Sequence, residues 1–201
     1  MNIFYLDKDV KKCAEYHNSK HTIKMILEYS QLLSTAHRMI DGTEITVKSA
    51  SGRNVKRWVL PDDRDTILYS ATHCNHPSSI WVRQSVHNYY WLRDLWMCLM
   101  EEYTYRYGKH HKCEFLIDHL HFSPNNIPLG TFTEPTPAMP DDVKVSGDSI
   151  ASYRNYYIQN KTHLASWVGK VNSRPVPEWY EKGINTNSNQ FDYNHSIGNS
   201  A

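Results

Sequence analysis

Imidazole, amine and carboxylate side chains recur at helical spacing near the start of this chain: His17, Lys20, His21, Lys24 and Glu28 follow one another at short steps. At about 100° per residue of an α-helix they share one arc with Gln31, Thr35 and Arg38. A lysine amine freed of its proton attacks carbonyl carbon, a histidine moves protons near neutral pH, and a glutamate serves as acid or base. Amine plus carboxylate is the equipment for Schiff-base chemistry at a sugar C1′, so Lys20, His21, Lys24 and Glu28 are the catalytic candidates. His17, Lys20, Lys24 and Arg38 also suit contact with phosphates. A plainer use of the same residues is a solvated helix face on which Lys24 and Glu28 form an i,i+4 pair.

A second polar stripe runs through residues 78–107, where Arg83, His87, Tyr90, Asp94, Glu101 and Tyr105 lie opposite Trp81, Leu92, Leu95, Trp96 and Leu99. Arg83 and His87 join the phosphate-binding candidates, and Asp94 and Glu101 are further acid/base candidates. His73-Cys74-Asn75-His76 and His110-His111-Lys112-Cys113 are compact His/Cys clusters. Neither has the spacing of a recognised zinc pair, so no metal is assigned. The absence of a Walker motif, of GxGxxG after a strand, of HExxH and of GxSxG argues against NTPases, dinucleotide enzymes, zincins and α/β-hydrolases, and no cofactor is expected.

The elements that must carry these residues are mostly helical. Residues 2–6 are a short apolar run, and from about Asp9 to Met39 the pattern is helical, in two pieces broken near His17 to Ser19, with Asp9 or Asp7 placed to cap the first. The second piece carries Ile23, Met25, Ile26, Leu27, Tyr29, Leu32, Leu33, Ala36 and Ile40, and is apolar over more than half its circumference, the reverse of an ordinary surface helix. Its polar stripe is therefore expected to face a cleft. Period-two alternation around Ser51-Gly52-Arg53-Asn54 predicts a peripheral β-hairpin over residues 44–59. One long helix is expected over 78–107, ended by Gly108, a short one within 111–121, and a last one over about 148–167. Residues 123–146, with five prolines, read as a long Pro-rich loop or lid. The expected fold is mainly α: a compact single helical domain over 1–182, followed by an Asn- and Ser-rich disordered tail over 183–201.

With 201 residues, 22 basic and 21 acidic, the chain carries almost no net charge, which excludes a polybasic arm but not a local basic patch. The basic excess lies in residues 1–60, with ten basic against six acidic side chains. Fourteen tyrosines and six tryptophans supply flat surfaces for a core or for stacking on bases. The four cysteines are widely spaced, as in a protein whose thiols stay reduced in a cytoplasmic compartment. No run of residues has the apolar length of a membrane span.

The layout of a short N-terminal segment, a helix with His17, Lys20, His21 and Lys24, Asn75-His76-Pro77 opening an aromatic helix that ends in Glu101-Glu102 and Arg106-Tyr107-Gly108, and a closing Pro177-Glu178-Trp179-Tyr180 resembles phage pyrimidine-dimer DNA glycosylase-like proteins, distant relatives of the phage endonuclease V family. The similarity spans about residues 1–180. It implies a mainly helical fold in a host-cell cytoplasm, binding to duplex DNA with a flipped nucleotide, and glycosylase action followed by strand cleavage through an imine. Lys20 and Lys24 match the family's phosphate-contacting positions. Two departures stand out: the family's nucleophile is the α-amine of a small residue exposed by Met removal, whereas Met1 here precedes Asn2, and the place of the catalytic Glu holds His21, with no carboxylate until Glu28. Met1, Lys20 and Lys24 are the amines in question. An enzyme acting on modified bases or on free or signalling nucleotides, and a non-catalytic nucleotide or nucleic-acid binder, are the alternatives on the same scaffold.

Overall fold

The computed structural model describes residues 1–186. Its elements are α1 (Val10–Tyr16), α2 (Ser19–Asp41), the strands β1 (Thr43–Lys48) and β2 (Asn54–Val59), α3 (Arg64–Ile67), α4 (Pro77–Gln84), α5 (Val86–Tyr107), α6 (Ile117–Leu120) and α7 (Ser149–Asn160). A closing helix, α8, covers 178–186. The fold is mainly α, and the two strands form one antiparallel hairpin in which Thr43 faces Val59 and Lys48 faces Asn54. Among the described residues no helix is long and apolar enough to cross a membrane.

Local chemistry places the helix starts. The Asp9 side chain accepts from Lys12 N–H to begin α1, and Asn18 accepts from His21 N–H at 2.8 Å to begin α2. The two long helices, α2 and α5, then pack against each other through Ile26, Tyr29 and Leu33 on one side and Leu92, Leu95, Trp96 and Leu99 on the other, all buried. The Trp96 indole N–H is satisfied by the Ile26 carbonyl at 3.0 Å, so this large side chain enters the core without an orphaned donor.

The long helix expected over 78–107 is broken at Ser85, whose backbone is extended (φ −156°, ψ 155°). Asn88 supplies the reason. Its side-chain amide donates to the Trp81 carbonyl at 3.0 Å, the acceptor that Ser85 N–H would use in an unbroken helix. The Pro-rich loop completes the break: Val86 N–H donates to the Pro128 carbonyl at 3.0 Å, and the Ser85 hydroxyl donates to the Thr131 carbonyl at 3.1 Å.

The last long helix stops at Asn160 rather than near 167. The following segment wraps the start of α2, where the Ser166 carbonyl accepts both Ser19 N–H (2.7 Å) and the Ser19 hydroxyl (2.8 Å). A tertiary pairing thus replaces further helix. Of the tail expected over 183–201, residues 183–186 belong to α8, and 187–201 lie outside the described residues.

One buried cation ties these parts together. Arg106 is fully buried; its Nε donates to Glu102 at 2.5 Å, Nη1 to the His17 carbonyl at 3.0 Å and Nη2 to the Glu15 carbonyl at 2.9 Å. Glu102 also receives Arg174 at 2.9 Å, and the Arg106 carbonyl accepts Val171 N–H at 2.9 Å. Gly169 is required beside it, because a Cβ there would stand 2.5 Å from the Arg106 carbonyl oxygen. Arg106→Ala, which takes a donor from each of two carbonyls and half-unpairs a buried carboxylate, is expected to cost about 3–5 kcal/mol in urea unfolding; a loss below about 1 kcal/mol would show that the pin is dispensable.

Candidate active site

The polar stripe of α2 divides into an inner and an outer part. On the inner side, the His17 Nδ1 lies 2.7 Å from the Cys13 carbonyl, which only accepts, so Nδ1 carries the proton. Its Nε2 therefore accepts from the Tyr29 hydroxyl (3.3 Å), which in turn accepts Phe4 N–H (3.0 Å). His21 is also buried, with Nδ1 2.6 Å from the Tyr157 hydroxyl and its ring stacked on Phe4 at 4.2 Å. Arg38 spends all its N–H groups inside the protein, on Asp65 and on the carbonyls of Trp58, Asp65, Leu68 and Tyr69, and so staples the hairpin and α3 to α2. It has no donor left for a phosphate. As placed, His17 and His21 meet protein groups rather than solvent.

On the outer side, Lys20 and Lys24 are exposed and Glu28 is half-buried. Glu28 stands between two amines: its Oε1 is 3.1 Å from Lys24 Nζ, and its Oε2 is 3.6 Å from the α-amine of Met1. What delivers that amine is the apolar run Ile3 to Leu6, which forms no strand but is buried, with Leu6 N–H turned back onto the Phe4 carbonyl at 3.1 Å. Besides Phe4 on Tyr29, the Cys13 thiol donates to the Phe4 carbonyl at 3.2 Å and accepts Leu6 N–H at 3.4 Å. Burial pushes the Cys13 thiol up to about 12, so it keeps the proton it donates.

His76 is the N-cap of α4. Burial holds its pKa below the ordinary histidine value, the Met1 ammonium and His73 add to that depression, and Glu28 opposes it. Arg83 braces the loop behind His76, donating to the Cys74 carbonyl at 2.8 Å and the Ser79 hydroxyl at 2.7 Å. Among the described residues Arg83 has no carboxylate within ion-pair distance.

The α5 candidates lie elsewhere. His87 Nδ1 contacts the Gly130 carbonyl of the Pro-rich loop, and Asp94 pairs with the neighbouring Arg93. Glu101 is exposed and lines shallow clefts with residues of α1, α5 and the 110–117 turn, none from α2. The His/Cys clusters were read for metal; among the described residues no three His, Cys, Asp or Glu side chains converge in a way that could hold an ion. The group at Glu28 that periodicity misses is the Met1 amine, which belongs to no repeating pattern.

The arrangement can move a proton from an ammonium to a carboxylate and so present a free amine to an electrophilic carbon. No family model, curated protein or solved structure matches the chain.

The buried histidines make stability depend on pH. Burial lowers His17 to about 4, offset in part by its bond to the Cys13 carbonyl. Burial, reinforced by His17, Lys161, Lys24 and His163, lowers His21 to about 3, and burial with the nearby Arg64 lowers His37 to about 4. These groups stay neutral when folded and take up protons when unfolded, so their contribution is complete above about pH 6.5 and is lost as the pH falls toward 4. Urea unfolding at about pH 7, 6 and 5 is expected to show stability falling by about 2 kcal/mol in all for each such histidine, the larger part of it below about pH 6. A flat profile over that window would mean that they titrate normally in the folded state.

Proposed function

We propose that the protein is a DNA-processing enzyme of the glycosylase/AP-lyase type, acting on a damaged or modified pyrimidine in duplex DNA. The observation that carries this is the Met1 α-amine 3.6 Å from Glu28, with Lys24 on the other oxygen of the same carboxylate. A carboxylate beside two amines, one of them on the exposed Lys24, suits imine chemistry at a sugar carbon. The resemblance to the endonuclease V relatives points the same way.

In the proposed reaction Glu28 takes a proton from the ammonium, and the freed amine adds to C1′ of the flipped nucleotide. The C1′–N bond breaks, the pyrimidine leaves with the bonding electron pair and is protonated, and the sugar ring opens to an imine on the protein. Loss of a C2′ proton to Glu28 then expels the 3′ phosphate, which cleaves the strand, and water releases the sugar. Met1 is the favoured nucleophile because its amine is held by a buried segment. Lys24 is the alternative on a mobile stem.

Borohydride reduction in the presence of abasic duplex tests this directly, since it freezes the imine as a stable amine. A covalent adduct is expected, with mass spectrometry placing it on Met1, and Glu28→Gln is expected to slow its formation by about 10²–10⁴-fold. Mapping to Lys24 would keep the chemistry and reassign the nucleophile, whereas no adduct from a folded protein that binds the duplex would overturn the proposal.

A positioning effect provides a second check. Tyr29→Phe removes the hydroxyl that holds Phe4 N–H, so trapping is expected to fall by about tenfold, the cost of about 1.4 kcal/mol of lost orientation, while DNA affinity is unchanged. Unchanged trapping would show that Tyr29 does not place the amine.

A further inference from the structure

Further along α2 from Glu28 lies a separate cleft of about 360 Å³, between the first turns of the helix and the 162–166 segment. This is within the ~300–1,000 Å³ range of small-molecule sites. Its lining combines an apolar wall, Ile23, Tyr107 and Leu164, with the cationic Lys20 and the imidazole of His163, and no acidic side chain lines it. Among the described residues neither Lys20 nor His163 has a carboxylate within ion-pair distance. Lys20 N–H, in the first turn of α2, also has no acceptor among the described residues, whereas Ser19, His21 and Thr22 N–H are satisfied. An unpaired cation and a free helix N–H at one mouth call for an anion.

The cleft is pre-formed. Ser19 holds the opposite wall through the carbonyls of Ser166 and Val168, each at 2.8 Å, and the Tyr107 hydroxyl donates to the Ser19 carbonyl at 3.2 Å. Ile23 is 41% exposed, an uncovered apolar surface inside a polar rim. Charge at one end and a flat apolar wall at the other fit a ligand with the same division.

We propose that this cleft binds one nucleotide unit, with its phosphate on Lys20, His163 and the Lys20 N–H and its base against Tyr107, Ile23 and Leu164. This deepens the function proposed above and rests on it for the source of the ligand. Lys20 and Glu28 are eight residues apart, about 12 Å along the helix at 1.5 Å per residue, which is three to four steps of a strand rising about 3.4 Å per nucleotide. The unit held here would thus lie three to four nucleotides from the reacting one, so that the cleft sets register while Glu28 does the chemistry.

The test is an NMR titration of the isotope-labelled full chain with thymidine, thymidine monophosphate and a dT10 strand. Saturable shifts centred on Lys20, Ile23, Tyr107 and His163 are expected with the monophosphate and not with thymidine, and His163→Glu is expected to weaken binding at least tenfold while leaving the remaining spectrum in place. Tenfold or more tighter binding of dT10, with a salt slope that falls by about 0.7 in His163→Glu, identifies the strand as the ligand. Equal affinity for the monophosphate supports the site and identifies a free nucleotide. Shifts that miss these residues, or binding unchanged by His163→Glu, overturn the proposal.

The borohydride experiment separates this outcome from the preceding one. An imine adduct formed by a protein whose cleft shows no shifts would leave the amine chemistry standing and remove only the cleft. Monophosphate binding without any adduct would do the opposite.

Discussion

The buried guanidinium of Arg106 is the constraint on which the other placements depend. A charge taken out of water is tolerated only when its donors are paired, and here the partners are Glu102 and the carbonyls at the corner between α1 and α2. That corner is where α2 begins, so the position of its polar stripe follows from where α5 holds Arg106. The strap after α7 is tied to the same point through Val171 and Arg174, and it is this strap that builds the far wall of the cleft at Lys20.

From that corner a directional chain of hydrogen bonds reaches the amino end. Phe4 N–H donates to Tyr29, Tyr29 to His17 and His17 to the Cys13 carbonyl, and the Cys13 thiol returns to the Phe4 carbonyl. The loop is closed, and loss of the Tyr29 hydroxyl would leave the buried Phe4 N–H without its acceptor. It holds a segment that has no ladder of its own. The Met1 amine arrives beside Glu28 because four residues behind it are locked, and a free terminus would sample many positions at considerable entropic advantage.

Two kinds of polar residue share α2, and their environments separate their roles. His17, His21 and Arg38 satisfy internal groups and hold the N-terminal segment and the hairpin. Lys20, Lys24 and Glu28 keep contact with solvent and can meet a ligand. The basic residues of this outer part face no dense acidic surface, which agrees with a substrate carrying phosphates, whereas the near-zero charge of the whole chain says nothing about it.

Helical periodicity, caps and turn residues made legible the mainly α class, the hairpin, a cap at Asp9 or Asp7, the stop at Gly108 and, as the plainer use of the stripe, the pairing of Lys24 with Glu28, because each depends on residues close together in the chain. The break at Ser85 was not legible, since it needs Asn88 to take the Trp81 carbonyl and the Pro-rich loop to take Val86. Nor was the end of α7, which is decided by Ser19 almost a hundred and fifty residues away. The stripe of α2 shows why the site itself was only half visible. Sequence determined which residues lie on one face, but only the tertiary structure decided which of them that face turns inward and which amine meets Glu28, because periodicity defines a direction around a helix and burial is set by whatever packs there.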